Sequence, residues 1–189
     1  VNNINKIISK KIVGLDCRKQ REIDNVLIEL DGTENKSHLG ANAILGVSMA
    51  ACKAGAICSG KVLYRYIQKL SNSKKLVLPV PQMNMLDGGA HVGAENDIQE
   101  YMIVPHGFKS FSESLRAGTE LYHIIKKNII KKYSYKAASV TAEGGFIAPM
   151  DGVEERLHFL QNSVEEAGYN KKISIALDSA ASEFFNDKN

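Results

Sequence analysis

A glycine-rich stretch that separates two apolar runs carries a histidine in its first part and a carboxylate at its end. The histidine is His91, and the stretch ends with Gln99 and Glu100. The run before it, 77–86, is typical of a buried strand, and so is the run after it, 101–105. A loop that carries a titratable imidazole and ends on a carboxylate can close over a small charged substrate.

A second carboxylate, Glu143, is followed by two glycines, which allow a sharp turn and leave the side chain facing a cavity. From the residues alone, an ordinary loop glutamate is the commoner interpretation of Glu143, and Glu100 could equally be a solvent-facing strand end. If the fold brings the two together, their like charges raise the apparent pKa of the pair. One carboxyl could then stay protonated near neutral pH, as a general acid requires.

A third carboxylate, Asp178, ends an apolar run over 171–178 that predicts a buried strand. A charged residue at the carboxyl end of a barrel strand is typical of catalysis or metal binding. A capping role for the following turn, through Ser179 and the next amides, explains Asp178 equally well. A lone histidine in a loop is more often simply solvated, so the residues alone do not assign His91 either.

Helices are predicted to make up residues 1–70. Asp16 is the expected N-cap of an amphipathic helix, and Gly32 marks its stop. From 39 to 58 the chain is apolar nearly all round, which predicts a helix buried on most sides. The apolar residues that show the amphipathic spacing are Ile23, Val26, Leu27 and Leu30.

A polar segment, 71–75, is the best domain boundary in the chain. Strand-like and helix-like segments alternate after it, and this alternation indicates an α/β unit. Ser110 and Glu113 form a capping box that opens one helix, and Gly168 is placed to end another.

The bulk composition fits a soluble globular protein, with 44% hydrophobic and 24% charged residues. A net charge of +3 is too small to indicate a nucleic-acid partner. Cys17, Cys52 and Cys58 show no metal-type spacing and are expected to be reduced thiols, which favours a cytoplasmic location. We expect no signal peptide and no apolar stretch long and clean enough to span a membrane.

Several motifs, in one order along the chain, resemble the enolase family. The resemblance implies an α/β fold, with residues 1–73 as the helical part of an enolase N-terminal α+β domain. Residues 74–189 would then be the first part of a TIM-like (β/α)8 barrel. The motifs are Glu29–Ser37, Leu39–Ser48, Leu78–His91, Gln99–Pro105, Glu143–Phe146 and Leu177–Phe184.

The resemblance implies a glycolytic lyase, phosphopyruvate hydratase, that dehydrates 2-phosphoglycerate to phosphoenolpyruvate. Glu143 would be the proton donor and would attend the departing hydroxyl together with Glu100. His91 would close toward the substrate and its phosphate, and Gln99 would contact the substrate. Asp178 would be one of three carboxylate ligands of Mg²⁺, with the other two ligands and the catalytic lysine beyond the last residue. Family members are commonly homodimers, so a full-length homodimer is expected.

Five positions depart from the family pattern. Asp87 stands where the family usually has Asn, and the pair 141–142, Thr-Ala, stands where it has Gly-Asp. Ile147 is an apparent insertion, and Met150 replaces an Asn. A lost acid beside Glu143 changes its electrostatic surroundings, so these departures put full activity in question but not the fold.

Three functions follow from these patterns. The first is the hydratase. In this case the chain is a portion of a longer protein, and the portion is expected to be inactive by itself. The second is a non-catalytic enolase-like protein with a binding or structural role, which the altered residues near Glu143 favour. The third is another acid-sugar dehydratase of the superfamily, and the close match of the His91 loop argues against it.

Overall fold

Two compact units, residues 1–77 and 78–189, divide the computed structural model of the chain. The structure describes residues 1–93 and 97–183. Residues 94–96 of the predicted His91 loop, and Phe184 of the last motif, lie outside the described part. The sequence-based domain boundary after residue 73 stays a prediction.

The first unit consists of helices that pack around a small apolar core. A π-helical turn, Ile4–Ile8, continues directly into α1, Ser9–Ile12. The longer helices are α2, Gln20–Asp31, α3, Ala41–Cys58, and α4, Leu63–Ser71. Their shared core is formed by Ile8, Ile23, Leu27, Leu39, Ala43 and Val47.

The predicted end of α2 is confirmed, but its predicted start is wrong. Gly32 closes the helix in the left-handed conformation, with φ of 69°. The helix begins at Gln20 after Lys19, which makes no capping bond through its side chain. Asp16 instead accepts the backbone N–H of Arg18 at 3.0 Å and pairs with its guanidinium at 2.7 Å. This local turn occupies the carboxylate that was expected to cap the helix.

The expected burial of α3 on most sides is also wrong. Leu45 is 57% exposed and Met49 is 51% exposed, so one apolar side of α3 faces outward. By length and composition alone α3 could cross a membrane, since its 18 residues have a mean hydropathy of 1.4. The expectation that no apolar stretch is long and clean enough to span a membrane is therefore not met by α3. A single helix of this kind is weak evidence for a membrane span, because core helices of soluble proteins meet the same criteria.

The second unit is built on a three-stranded sheet in which both pairs of strands run antiparallel. The strands are β1, Met83–Asp87, β2, Glu100–Val104, and β3, Ser174–Asp178. Two helices accompany the sheet, α5, Phe111–Lys132, and α6, Gly152–Glu166. The largest members of the core between them are Tyr101, Phe146, Met85, Leu86, Ile103, Leu121, Ile125, Ile129 and Leu160.

Two predicted strands are shorter or more exposed than expected. β1 begins at Met83 instead of at residue 77, and Leu78 is 73% exposed. Pro79 and Pro81 explain the difference, because a proline has no N–H to give to a sheet ladder. β3 is not the buried strand that was predicted: within the described residues it is an edge strand, and Leu177 is 42% exposed.

Capping signals fix the start of α5 and the end of α6. The Ser110 hydroxyl accepts the Glu113 N–H at 3.2 Å, and the Glu113 carboxylate accepts the Lys109 N–H at 3.1 Å. Gly168 follows α6 with φ of 70°, as its position predicted. These two helices are therefore set by local sequence before any packing is considered.

A buried ion pair joins α6 to the far end of the glycine-rich stretch. Arg156 lies 2.7 Å from Asp97, and the two side chains are only 8% and 11% exposed. The Tyr101 hydroxyl donates a hydrogen bond to Asp97 at 2.9 Å, and the Arg156 guanidinium lies over the Tyr101 ring. Burial and the neighbouring Asp97 raise the pKa of Tyr101 to about 12. This cluster holds the chain entering β2 against α6.

We expect Arg156→Met to destabilise the second unit by about 3–5 kcal/mol, because it leaves the Asp97 carboxylate buried without a cation. Chemical unfolding followed by circular dichroism measures the change. Asp97→Asn combined with Arg156→Met should recover part of the loss, since no charge then remains buried. Arg116→Met is the matched control, because the Arg116–Glu120 pair is exposed and 3.8 Å apart. Equal losses in Arg156→Met and Arg116→Met would contradict the assignment.

Candidate active site at one edge of the sheet

The antiparallel pairing gathers three carboxylates at one edge of the sheet. Asp87 ends β1, Glu100 begins β2 and Asp178 ends β3. The register pairs Asp87 with Glu100 and Glu100 with Asp178. Residues that are ninety positions apart in sequence thus become neighbours, because alternate strand directions bring one carboxyl end, one amino end and another carboxyl end together.

His91 reaches this edge on a short 3₁₀ turn, Gly89–Val92, that follows β1. Its Nδ1 lies 3.3 Å from Asp87 Oδ1 and 4.0 Å from Glu143 Oε2. The turn is held close to the sheet at its base, where the Gly88 N–H donates to the Gln99 carbonyl at 2.9 Å. A Cβ at Gly88 would meet the Ile98 carbonyl at 2.5 Å, so only glycine permits this approach.

Glu143 stands on a turn that docks against β1 through Phe146. The Phe146 N–H donates to the Met85 carbonyl at 2.9 Å, and the Asp87 N–H donates to the Phe146 carbonyl at 3.1 Å. The Phe146 ring stacks on Tyr122 with the ring centres 4.5 Å apart. The Glu143 carboxylate is 53% exposed, so the turn presents it to solvent beside His91.

Four of the five predicted site residues have interacting side chains in the structure. The fifth, Gln99, is joined to them by a main-chain hydrogen bond. His91, Glu100, Glu143 and Asp178 belong to one electrostatic group, because each of the other three influences the pKa of Glu100. Gln99 lies next to them through its main chain, where its N–H donates to the Asp178 carbonyl at 3.2 Å.

Sequence reasoning missed Asp87 as a member of the site. Its side chain is completely buried, and its carboxylate accepts hydrogen bonds from Asn84 at 2.7 Å and Thr141 at 2.6 Å. The signal was available, because Asp87 ends a strand in the same way as Asp178. The family pattern marks Asp87 only as a departure from the usual Asn and gives it no role in the site.

Two titratable groups of the site have shifted pKa values. The hydrogen bond to Asp87 raises the pKa of His91, and the charges of Glu143 and Glu100 add to this effect against the opposing effect of burial. Burial raises the pKa of Glu100, and Glu143 and Asp178 raise it further. The edge therefore favours a protonated imidazole and a carboxyl that takes up a proton more readily than usual.

The described residues do not assemble a magnesium site by themselves. Ligand atoms of Asp87, His91 and Glu143 lie within 4.8 Å of one another, a spacing compatible with a bound cation. Both Asp87 oxygens already accept hydrogen bonds, so this group is a hydrogen-bond network. Asp178 offers one exposed carboxylate, and its Oδ1 accepts the Ala180 N–H at 2.9 Å in the capping geometry considered above. One such carboxylate needs further oxygen ligands to hold Mg²⁺.

Comparison with known proteins gives a consistent assignment over both units. A family model described as enolase, C-terminal TIM barrel domain, matches residues 75–189. A second, described as enolase, N-terminal domain, matches residues 1–67. These matches and the mixed helix and sheet confirm the predicted α/β fold class, in which the first strands are paired antiparallel.

Curated relatives named enolase are identical to this chain at about half of the aligned positions. The protein from Methanopyrus kandleri is 52% identical over 189 residues, which is 99% of this chain and 44% of the relative. The protein from Thermococcus gammatolerans is 52% identical over 190 residues, covering 100% of this chain and 44% of the relative. The chain thus spans about 44% of the length of these relatives.

We expect Glu100→Gln to raise the free energy of unfolding at neutral pH. Folding raises the pKa of Glu100 above its ordinary value of 4.5, so the folded state favours the protonated carboxyl. Protonated Glu100 therefore stabilises the folded state fully below pH 4.5, and this stabilisation is lost as the pH rises through the folded-state pKa. The neutral amide of Gln removes this loss.

Urea unfolding at pH 7 and at pH 4 measures the effect. The gain over the parent protein should be clear at pH 7 and should shrink at pH 4. Glu154→Gln is the control, because the Glu154 side chain is 90% exposed. A pH-independent difference, or a loss of stability at pH 7, would contradict the assigned environment of Glu100.

Proposed function

Because the chain belongs to the enolase family, we propose that the protein carrying it is a phosphopyruvate hydratase. The reaction is the dehydration of 2-phosphoglycerate to phosphoenolpyruvate. The proposal is carried by the joint observation of enolase relatives at about 52% identity and of a histidine and glutamates gathered at one sheet edge. The predicted division into domains 1–73 and 74–189 belongs to the same proposal.

In this proposal Glu143 donates the proton that leaves with the substrate hydroxyl. Its carboxyl is half exposed and adjoins Glu100, whose pKa is raised by burial and by Glu143. A carboxyl that takes up a proton more readily than usual suits general acid catalysis. Glu100 then attends the departing hydroxyl from the β2 side.

His91 and Gln99 bind the substrate. The raised pKa of His91 favours the imidazolium form, which pairs with an anionic phosphate by a charge-assisted hydrogen bond. Gln99 stands beside Glu100 at the start of β2 and adds a neutral polar contact. In this arrangement the His91 imidazolium binds the phosphate of the substrate, and the Glu143 and Glu100 carboxyls act at its hydroxyl.

Asp178 is proposed as one ligand of a divalent cation, Mg²⁺, whose remaining ligands come from outside the described residues. Such an ion supplies charge stabilisation for the carboxylate of the substrate as negative charge develops there. Asp178 is exposed at the end of β3, on the same edge as Glu100. A cytoplasmic homodimer is the proposed state of the full-length protein.

A non-catalytic enolase-like protein is the second candidate function. Two observations favour it: Ala142 lacks the acid expected beside Glu143, and Ile147, an apparent insertion, follows the stacked Phe146 and is 40% exposed. An enolase-like protein with an altered Glu143 turn could keep the fold and bind a partner without turnover.

We expect Glu143→Gln to lower turnover of 2-phosphoglycerate by about 100- to 10,000-fold, because it removes the proton donor. The assay follows the absorbance of phosphoenolpyruvate formed by the full-length gene product with Mg²⁺. The thermal melt should change little, since the Glu143 side chain is 53% exposed.

Glu154→Gln is the matched control and should retain normal turnover, because Glu154 lies on α6 away from the site. Turnover of Glu143→Gln within threefold of the parent protein would remove Glu143 from the proton-donor role. Absence of product from the parent protein itself would favour the non-catalytic candidate.

A further inference from the structure

One buried carboxylate connects the two segments that carry His91 and Glu143. Asp87 Oδ1 accepts the Asn84 amide at 2.7 Å and lies 3.3 Å from His91 Nδ1. Asp87 Oδ2 accepts the Thr141 hydroxyl at 2.6 Å. Each oxygen therefore faces a different part of the site, with Oδ1 toward the His91 turn and Oδ2 toward the Glu143 turn.

A charged group is expensive to bury unless hydrogen bonds or an opposite charge compensate it. The Asp87 side chain has no exposed surface, so its two donors and the nearby imidazole must provide that compensation. Gly145 packs directly on the carboxylate, and a Cβ there would overlap Asp87 Oδ2. The Glu143 turn therefore packs directly against the Asp87 side chain, and a side chain at position 145 would not fit.

We propose that Asp87 is a positioning residue of the site, which holds the His91 imidazole beside Glu143 through its buried carboxylate and the Thr141 hydroxyl. The inference rests on the proposed function, since it deepens the role of the phosphate-binding His91. Asp87 acts through His91 and touches no substrate atom, because its oxygens lie beneath the surface.

The charged groups around His91 act in the same direction. Among the described residues, Asp87 faces it from β1, Glu143 from the 141–146 turn and Glu100 from β2. All three are acids and favour the imidazolium, and Asp87 has the largest effect on the pKa of His91. Asp87 is also the buried member of the three, so solvent screens its charge least.

Two departures from the family pattern thereby form one interacting pair. A glycine at position 141 could not donate the hydrogen bond that Thr141 gives to Asp87, and an amide at position 87 could accept it only as a neutral group. A glycine has no hydroxyl, and an amide carries no charge. Asp87 on β1 thus places a carboxylate against the turn in which Ala142 stands.

The test compares Asp87→Asn with the parent full-length gene product in two measurements. Histidine NMR titration without substrate should show a lower pKa for His91 in the variant, with the signal identified by its loss in His91→Gln. Steady-state kinetics should show an increase of about tenfold in KM for 2-phosphoglycerate with kcat within about threefold. The rise of KM with pH should begin at lower pH in the variant.

Thr141→Val and Thr141→Ser keep the test decisive if Asp87→Asn is poorly folded. Thr141→Val removes the hydroxyl and should lower the pKa of His91, whereas Thr141→Ser keeps the hydroxyl and should preserve it. An unchanged pKa of His91 in both Asp87→Asn and Thr141→Val would overturn the proposal. A lowered pKa in a protein without turnover would uphold the positioning role and instead contradict the proposed function.

Discussion

Antiparallel hydrogen bonding between three short strands is the constraint on which the site depends. A parallel arrangement would have placed Glu100 at the opposite edge from Asp87 and Asp178, because it begins its strand and they end theirs. The pairing instead sets the three carboxylates side by side in one register. Burial, together with the neighbouring Glu143 and Asp178, accounts for the raised pKa of Glu100.

The loops between the strands are held by interactions of different kinds at each end. Close glycine packing and a backbone hydrogen bond secure the base of the His91 turn at Gly88. The buried Arg156–Asp97 pair secures the residues that enter β2. The Glu143 turn depends on Phe146, which pairs with β1 through its backbone and stacks on Tyr122 through its ring. Packed and hydrogen-bonded residues therefore support the segments that carry His91, Glu100 and Glu143.

Local signals in the sequence predicted three helix ends correctly, and family motifs predicted the fold. Gly32, Gly168 and Ser110 act on their immediate neighbours, so their roles could be predicted without a structure. The role of Asp87 could not be predicted in that way, because its partner Thr141 is 54 residues away. Asp16 failed as a cap for the opposite reason, because Arg18, only two residues away, occupies its carboxylate.

Among the residues that the structure describes, β3 has a neighbouring strand only on its β2 side. Its outward row of N–H and C=O groups is a template on which another extended segment can align. A sheet of this kind grows by adding a strand, either from the same polypeptide or from a second molecule. Asp178 ends this row, so residues of a segment that pairs with β3 would lie beside its carboxylate.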